Sequence, residues 1–136
     1  MGATCACGAN EPLFITDNAA LSGLDGCTRS EGIFVSGPDI TDLSAFPSTL
    51  TRIDGPLEIQ GTGLTTLDGL QSLGAVETIR IFANQELSSI AALNLTQLSF
   101  DIEIFDNPLL PECDATELCA DFPNAQCSVF GNGACP

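Results

Sequence analysis

The residues that could carry chemistry in this chain are carboxylates and cysteines. Its 136 residues include 18 acids and seven cysteines, but neither histidine nor lysine. Without histidine there is no Ser-His or Cys-His pair to activate a nucleophile, and without lysine there is no Schiff base. A carboxylate pair could still serve glycoside hydrolysis, but 18 scattered acids supply such pairs by chance. The sequence therefore predicts a protein that is not an enzyme and needs no cofactor.

The cysteines are spaced for disulfides rather than for a metal site. Zinc sites take histidine or closely spaced cysteine pairs such as C-x-x-C, and the chain has neither. Calcium needs oxygen ligands clustered in one loop, whereas SGPDITD and DATE hold two acids each without the EF-hand spacing. We therefore predict no metal site. Cysteine at this density indicates disulfides and an oxidising compartment, which means a secreted or cell-surface protein.

The net charge excludes several classes of partner. The formal charge is −15, because only three bases, Arg29, Arg52 and Arg80, offset the 18 acids. A field this negative repels phosphate backbones and anionic membranes. No segment approaches the roughly 18 apolar residues that a membrane helix needs. The sequence predicts no nucleic-acid binding and no membrane insertion of the visible chain.

The element that must position these residues is a repeated strand and corner. Residues 79–87 read IRIFANQEL, and residues 102–110 read IEIFDNPLL. Related apolar-x-apolar strands begin at residues 13, 33, 57, 79 and 102, about 20 to 24 residues apart. We expect a glycine or asparagine after each strand to supply the left-handed backbone of a tight corner. These corner residues are Asn18, Gly37, Gly61, Asn84 and Asn107.

One turn of this length cannot bury its own apolar side, but stacked turns can. After each corner, apolar residues recur at every third position, as at Leu64, Leu67 and Leu70. The sequence therefore predicts an all-β repeat fold, a short parallel β-solenoid of about five turns of 20–24 residues. We divide the chain into an N-terminal segment, residues 1–11, solenoid repeats, residues 12–113, and a disulfide-rich C-terminal cap, residues 114–136.

The C-terminal cap is predicted to contain a short helix and two disulfides. Asp114 and Glu117 resemble a capping box, which predicts a helix over residues 115–122, before Pro123. Four cysteines allow three connectivities. We predict the pairs Cys113–Cys135 and Cys119–Cys127.

At the other end, Cys27 is expected to point inward near the first turn. Either Cys5 or Cys7 could reach it, whereas a bond between Cys5 and Cys7 would be strained. We predict a Cys7–Cys27 disulfide, which leaves Cys5 as a candidate free or interchain thiol.

The outward face of the predicted sheet carries the candidate binding residues. Alternation of side chains places two columns there. One column runs Phe14, Phe34, Glu58, Arg80, Glu103, and the other runs Thr16, Ser36, Gln60, Phe82, Phe105. Arg80 then lies between two acids as a cross-strand ion pair. Phe82 and Phe105 either stabilise the sheet by ring stacking or form an exposed apolar patch where a partner docks. The candidate binding residues are Phe34, Glu58, Arg80, Phe82, Glu103 and Phe105.

Several repeat units resemble the receptor L domain, the right-handed β-helical module of insulin-receptor and epidermal-growth-factor-receptor ectodomains. These units are GPLEIQGTGLTTLDGL, IRIFANQELSSI and IEIFDNPLLPEC. GCTRSEGIFVSG resembles the opening of that family, and DNPLLPEC resembles its closing Asn-Pro-x-Leu-Cys. The tail is more similar to bacterial surface proteins built from the same leucine-rich-repeat-like units. The resemblance implies a right-handed coil in a secreted or cell-surface module, without the cysteine-rich region on which hormone binding depends.

Two functions follow as expectations. The first is a non-catalytic recognition module that binds a protein or glycan through its parallel-sheet face. The alternative is a structural subunit that binds copies of itself, end to end or through the spare cysteine, in an extracellular filament or surface layer. The odd cysteine and flat apolar sheet favour assembly, whereas the predicted caps and the charge of −15 oppose it.

Overall fold

An eight-stranded sheet, in which every pair of neighbouring strands is parallel, dominates the structure. The structure is a computed structural model that describes residues 5–7, 13–24 and 26–135. The strands are β1 (Cys5–Cys7), β2 (Leu13–Ile15), β3 (Cys27–Ser30), β4 (Ile33–Ser36), β5 (Arg52–Gln60), β6 (Ala75–Phe82), β7 (Gln97–Phe105) and β8 (Gln126–Phe130). A 3₁₀ helix, Asn18–Leu24, follows β2, and the α-helix α1, Glu112–Asp121, precedes β8.

The register of the sheet confirms the repeat and extends it by one strand. One row of partners runs Leu13, Ile33, Leu57, Ile79, Ile102 and Cys127. The first five are the predicted strand starts. The sixth lies in β8, inside the segment predicted only as a cap. The short sequence CSVF did not indicate a strand, since it lacks the aliphatic pair that marks the other strands, and only a disulfide was predicted for Cys127.

A second row of pairing precedes the first, and the sequence analysis did not identify it. β1, β3 and the first residues of β5, β6 and β7 are aligned there, with Arg29, Arg52, Ala75 and Gln97 in register. The register shifts between Ile53 and Pro56 in β5. Such a bulge bends a strand. β5 to β7 are therefore longer than a single apolar-x-apolar unit.

The core consists of the inward side chains of the strands and the apolar residues of the connecting segments. Ile59, Ile81 and Ile104 are fully buried on the inward side of successive strands. The three-residue rhythm is also confirmed, because the connecting leucines are buried. These are Leu64, Leu67, Leu70 and Leu73. The apolar residues of the strands and of the connecting segments therefore belong to one core.

The corner residues were only partly predicted. Gly37 and Gly61 have positive φ, as expected. The prediction for Asn84 and Asn107 was wrong, since the residues before them, Ala83 (φ 60°) and Asp106 (φ 58°), take the left-handed backbone. Asn18 has no positive φ either. The side chains of Asn84 and Asn107 instead form hydrogen bonds between neighbouring strands.

Both predicted disulfides of the cap are confirmed, but the start of the helix was misplaced. Cys113 is bonded to Cys135, and Cys119 to Cys127. α1 begins at Glu112 rather than at residue 115, and no side chain caps it. The predicted Asp114–Glu117 capping box is wrong because Asp114 lies inside the helix. The backbone of the tail satisfies the helix start, since the Glu112 amide donates to the Gly133 carbonyl at 2.9 Å.

Cys27 is disulfide-bonded in the structure. The predicted partner Cys7 and the candidate free thiol Cys5 lie outside the residues whose side chains the structure describes.

Candidate functional site

The register places the predicted columns side by side on the outward face of the sheet. One column contains Phe14, Phe34, Glu58, Arg80, Glu103 and Ser128. The other contains Ser36, Gln60, Phe82, Phe105 and Phe130, with Thr16 just beyond the end of β2. We call this surface the sheet face. Its side chains project outward because they alternate with the buried Ile79, Ile81 and their equivalents.

The centre of the first column is a chain of ion pairs, which we call the charged column (Glu58, Arg80, Glu103). Arg80 Nη1 lies 3.0 Å from Glu58 Oε1, and Arg80 Nε lies 3.1 Å from Glu103 Oε1. The predicted cross-strand pairing is therefore confirmed. The side chain of Glu58 is only 11% exposed, whereas that of Arg80 is 41% exposed. A carboxylate this buried depends on its partner, because an unpaired charge away from water is costly.

The second column ends in three stacked rings, which we call the Phe column (Phe82, Phe105, Phe130). The Phe82 and Phe105 ring centroids are 4.9 Å apart, and the planes differ by 8°. Phe105 and Phe130 are also 4.9 Å apart, at 13°. This distance matches the spacing of neighbouring strands. The rings therefore stand upright on the sheet, with their faces against one another and their edges toward solvent.

Phe130, the last ring of the Phe column, is 53% exposed and was not among the predicted binding residues. A signal for it was present. CSVF at residues 127–130 follows the same apolar-x-apolar-Phe order as IEIF at residues 102–105, after a step of 25 residues. At the other end of the sheet face, the candidate residue Phe34 stacks on Phe14 at 5.2 Å. Phe14 is 68% exposed.

A row of hydrogen-bonded polar side chains, which we call the Asn ladder (Thr62, Asn84, Asn107, Asn132), holds the corners beside the Phe column. Thr62 Oγ1 donates to Asn84 Oδ1 at 2.7 Å. Asn84 Nδ2 donates to Asn107 Oδ1 at 3.0 Å, and Asn107 Nδ2 donates to Asn132 Oδ1 at 2.9 Å. Asn84 and Asn107 are fully buried. Since Asn84, Asn107 and Asn132 each lie two residues after a ring of the Phe column, the Asn ladder fixes the exit of every strand that carries this column.

The ladder ends at a carboxylate rather than at another amide. Asn132 donates from its backbone to Glu112 Oε1 at 3.4 Å, and its side chain reaches the same oxygen at 3.5 Å. Glu112 is the first residue of α1. The helix therefore closes the hydrogen-bonding row of the last corner. The sequence pattern predicted corner positions for these asparagines but did not indicate the hydrogen bonds that join their side-chain amides.

A second group of charges lies on the other row of the sheet. Asp54 contacts both Arg52 and Arg29, the latter at 3.1 Å. The hydrogen bond from Arg52, strengthened by the charges of both guanidinium groups, lowers the pKa of the Asp54 carboxyl below its usual value. The pKa of Arg52 is raised for the same reason. All three arginines of the chain are therefore engaged by carboxylates.

A groove of about 210 Å³ lies away from the strands, between α1 and residues 90–93, and no candidate sheet-face residue lines it. No group of three or more cysteines and carboxylates in the described ranges is arranged to hold a metal ion. Among the same residues, no helix has the length and apolar character needed to cross a membrane.

Comparison of the chain with protein-family models, with curated proteins and with solved structures found no match.

Proposed function

We propose that this chain is a non-catalytic recognition module that binds a protein through its sheet face. The observation that carries the proposal is the Phe column. Phe82 and Phe105 are half-exposed and Phe130 is 53% exposed, so three adjacent rings present one apolar ridge to solvent. Contiguous apolar surface on a soluble protein commonly marks an interaction site.

The arrangement of the rings favours a protein over a glycan. A sugar stacks on the open face of an aromatic ring, but the faces of Phe105 are occupied by its two neighbours. Arg80 lies over the Phe82 ring, with Cζ 5.8 Å from the centroid. The Phe column therefore exposes a row of ring edges next to the charged column. An apolar ridge with a polar border is the usual composition of a protein–protein interface.

We further propose that the parallel sheet is one wall of a right-handed β-solenoid of the type found in receptor L domains and bacterial surface repeats. Three features support this interpretation: register partners 20 to 25 residues apart, parallel pairing throughout, and burial of the connecting leucines. A stack of this kind presents its binding residues on a rigid surface. The two disulfides near the C-terminus support a secreted or cell-surface location.

The test replaces one ring of the ridge and compares it with a matched surface change. Phe105→Asp inserts a charge in the middle of the Phe column, and Ser48→Asp inserts the same charge at an exposed loop position. Wild-type and variant chains are immobilised and exposed to the extracellular proteins of the source, and to a glycan array. Circular dichroism checks that both variants are folded.

We expect proteins that bind wild type and Ser48→Asp to lose at least tenfold in affinity for Phe105→Asp, which corresponds to about 1.4 kcal/mol. Equal affinity for the folded Phe105→Asp variant would show that the sheet face is not the binding site. Capture of a glycan but no protein would contradict the partner class.

A further inference from the structure

Among the strands whose burial the structure describes, β8 at the C-terminal end is the least buried. Every residue of β8 is exposed or half-exposed. Cys127 and Val129 occupy the inward positions at which the preceding strand places the fully buried Ile102 and Ile104. At the N-terminal end, Leu13 is half-exposed and Ile15 is 3% exposed. The inward positions are therefore more exposed at β8 than at β2.

The backbone of β8 also has a side without a partner strand. The Asp106 amide donates to the Phe130 carbonyl at 3.1 Å, so the backbone groups of Phe130 point to β7. Alternation along a strand then directs those of Ser128 to β7 as well, and those of Cys127 and Val129 to the opposite side. In the described part of the chain, β8 pairs with β7 alone. An edge of this kind is a template for another strand.

This edge lacks the charges that usually protect an edge strand. Residues 126–135 contain no acid or base, although the chain carries a net charge of −15. Three carboxylates of α1, Asp114, Glu117 and Asp121, line a groove with Ile90 and Leu93, and the fourth, Glu112, lies beside Asn132 just after β8. β8 itself adds no charge to a contact between two copies at this edge, where the nearest carboxylates of the sheet are Asp101 and Glu103 on the neighbouring strand.

We propose that two copies of this chain pair tail to tail, with β8 of one antiparallel to β8 of the other and a two-fold axis at Ser128. This register sets Cys127 opposite Val129 of the second copy, so that the outward-pointing backbone groups of both residues hydrogen-bond. It also keeps inward side chains with inward ones, as register in a half-buried sheet requires. The contact extends the sheet through backbone hydrogen bonds, as the pairing of β7 with β8 does within one chain, but the two β8 strands are antiparallel.

The pairing closes after two copies. A two-fold contact uses the same surface on both partners, whereas a head-to-tail contact between β8 and β2 would continue into a filament. The inward positions of β2 are less exposed than those of β8, so the self-complementary end is favoured. The sheet face remains accessible, and the two Phe columns lie on one continuous sheet. The pairing does not depend on the proposed recognition function.

The first test exploits the symmetry axis. Wild type should have twice the 14.1 kDa mass of one chain by light scattering after gel filtration, and should run as a monomer on a denaturing non-reducing gel. Ser128→Glu and Ser128→Lys each place like charges opposite each other, and both should be monomeric. An equimolar mixture of these two variants should recover the dimer mass, whereas Ser48→Glu, the charge-matched control, should remain dimeric.

The second test removes a backbone donor. Val129→Pro deletes the amide that points to the open side and leaves the bonds to β7, which is the position where an edge strand tolerates proline. The variant should be folded and monomeric. A wild-type monomer at all concentrations, species larger than a dimer, a folded Ser128→Glu variant that remains dimeric, or a mixture that stays monomeric would each overturn the proposal.

Discussion

The Asn ladder makes the sharpest prediction about stability, and Asn107→Ala is the change that tests it. The Asn107 side chain is fully buried and is the central amide of the row. Its Oδ1 accepts from the Asn84 backbone at 3.1 Å and from Asn84 Nδ2 at 3.0 Å. Its Nδ2 lies within 3.1 Å of the Ile81 and Phe105 carbonyls and 2.9 Å from Asn132 Oδ1. Alanine removes all of these contacts.

The expected cost follows from counting what is lost. Nδ2 has two hydrogens and Oδ1 accepts two bonds, so about four hydrogen bonds are removed, each worth roughly 0.5–1.5 kcal/mol. The buried backbone N–H of Asn84 also loses its acceptor, Asn107 Oδ1, which costs about 1–3 kcal/mol. We expect Asn107→Ala to lower the free energy of unfolding by about 3–9 kcal/mol. That loss is a large part of the roughly 5–15 kcal/mol typical of a folded domain.

The measurement is urea unfolding followed by far-ultraviolet circular dichroism, because the chain has no tryptophan or tyrosine for fluorescence. All variants are compared at one protein concentration, so that any self-association affects them equally. Asn124→Ala, at an exposed asparagine, is the matched control and should change stability by no more than about 0.5 kcal/mol. A loss below about 1 kcal/mol for Asn107→Ala, with an unchanged denaturant slope, would refute the role assigned to the ladder.

Two further predictions concern a corner and an ion pair. Ala83→Gly should raise the free energy of unfolding by about 0.5–1 kcal/mol, because Ala83 has φ 60° at the corner position where the preceding turn has Gly61. Gly61→Ala should lower it by a similar amount. If urea unfolding did not show opposite shifts for the two variants, the left-handed backbone at these corners would be contradicted. Asp54 has a pKa lowered by Arg52, so its stabilising effect is present above the unfolded pKa of about 3.9 and is lost as pH falls through the folded pKa. Asp54→Asn should therefore destabilise the chain at neutral pH and converge with wild type in strong acid, and a constant difference in urea midpoints from about pH 7 to pH 2 would exclude this linkage.

Much of the architecture could be read from the sequence because it depends on local rules. Alternation along each strand determines which side chains face inward, and the step of 20 to 24 residues determines which of them stack. The row from Leu13 to Ile102, the Glu58–Arg80–Glu103 pairs and the Phe82–Phe105 stack all follow from these two rules. The two cap disulfides are the predicted pair, but the sequence left three pairings of the four cysteines possible and did not by itself select this one.

Tertiary structure alone decided the rest. Asn84 and Asn107 have the composition of corner residues, but their amides bond to neighbours that are 22 to 26 residues away, which no local window contains. The start of α1 at Glu112 depends on the Gly133 carbonyl, which the chain supplies only after returning from β8. The free edge of β8 is likewise a property of position in the sheet, since no described strand pairs with β8 on the side away from β7, and its inward residues are exposed or half-exposed. The sequence by itself determined the repeating unit and its inward and outward faces, whereas contacts between strands and corners determined how the corners are held and which described strand has a free edge.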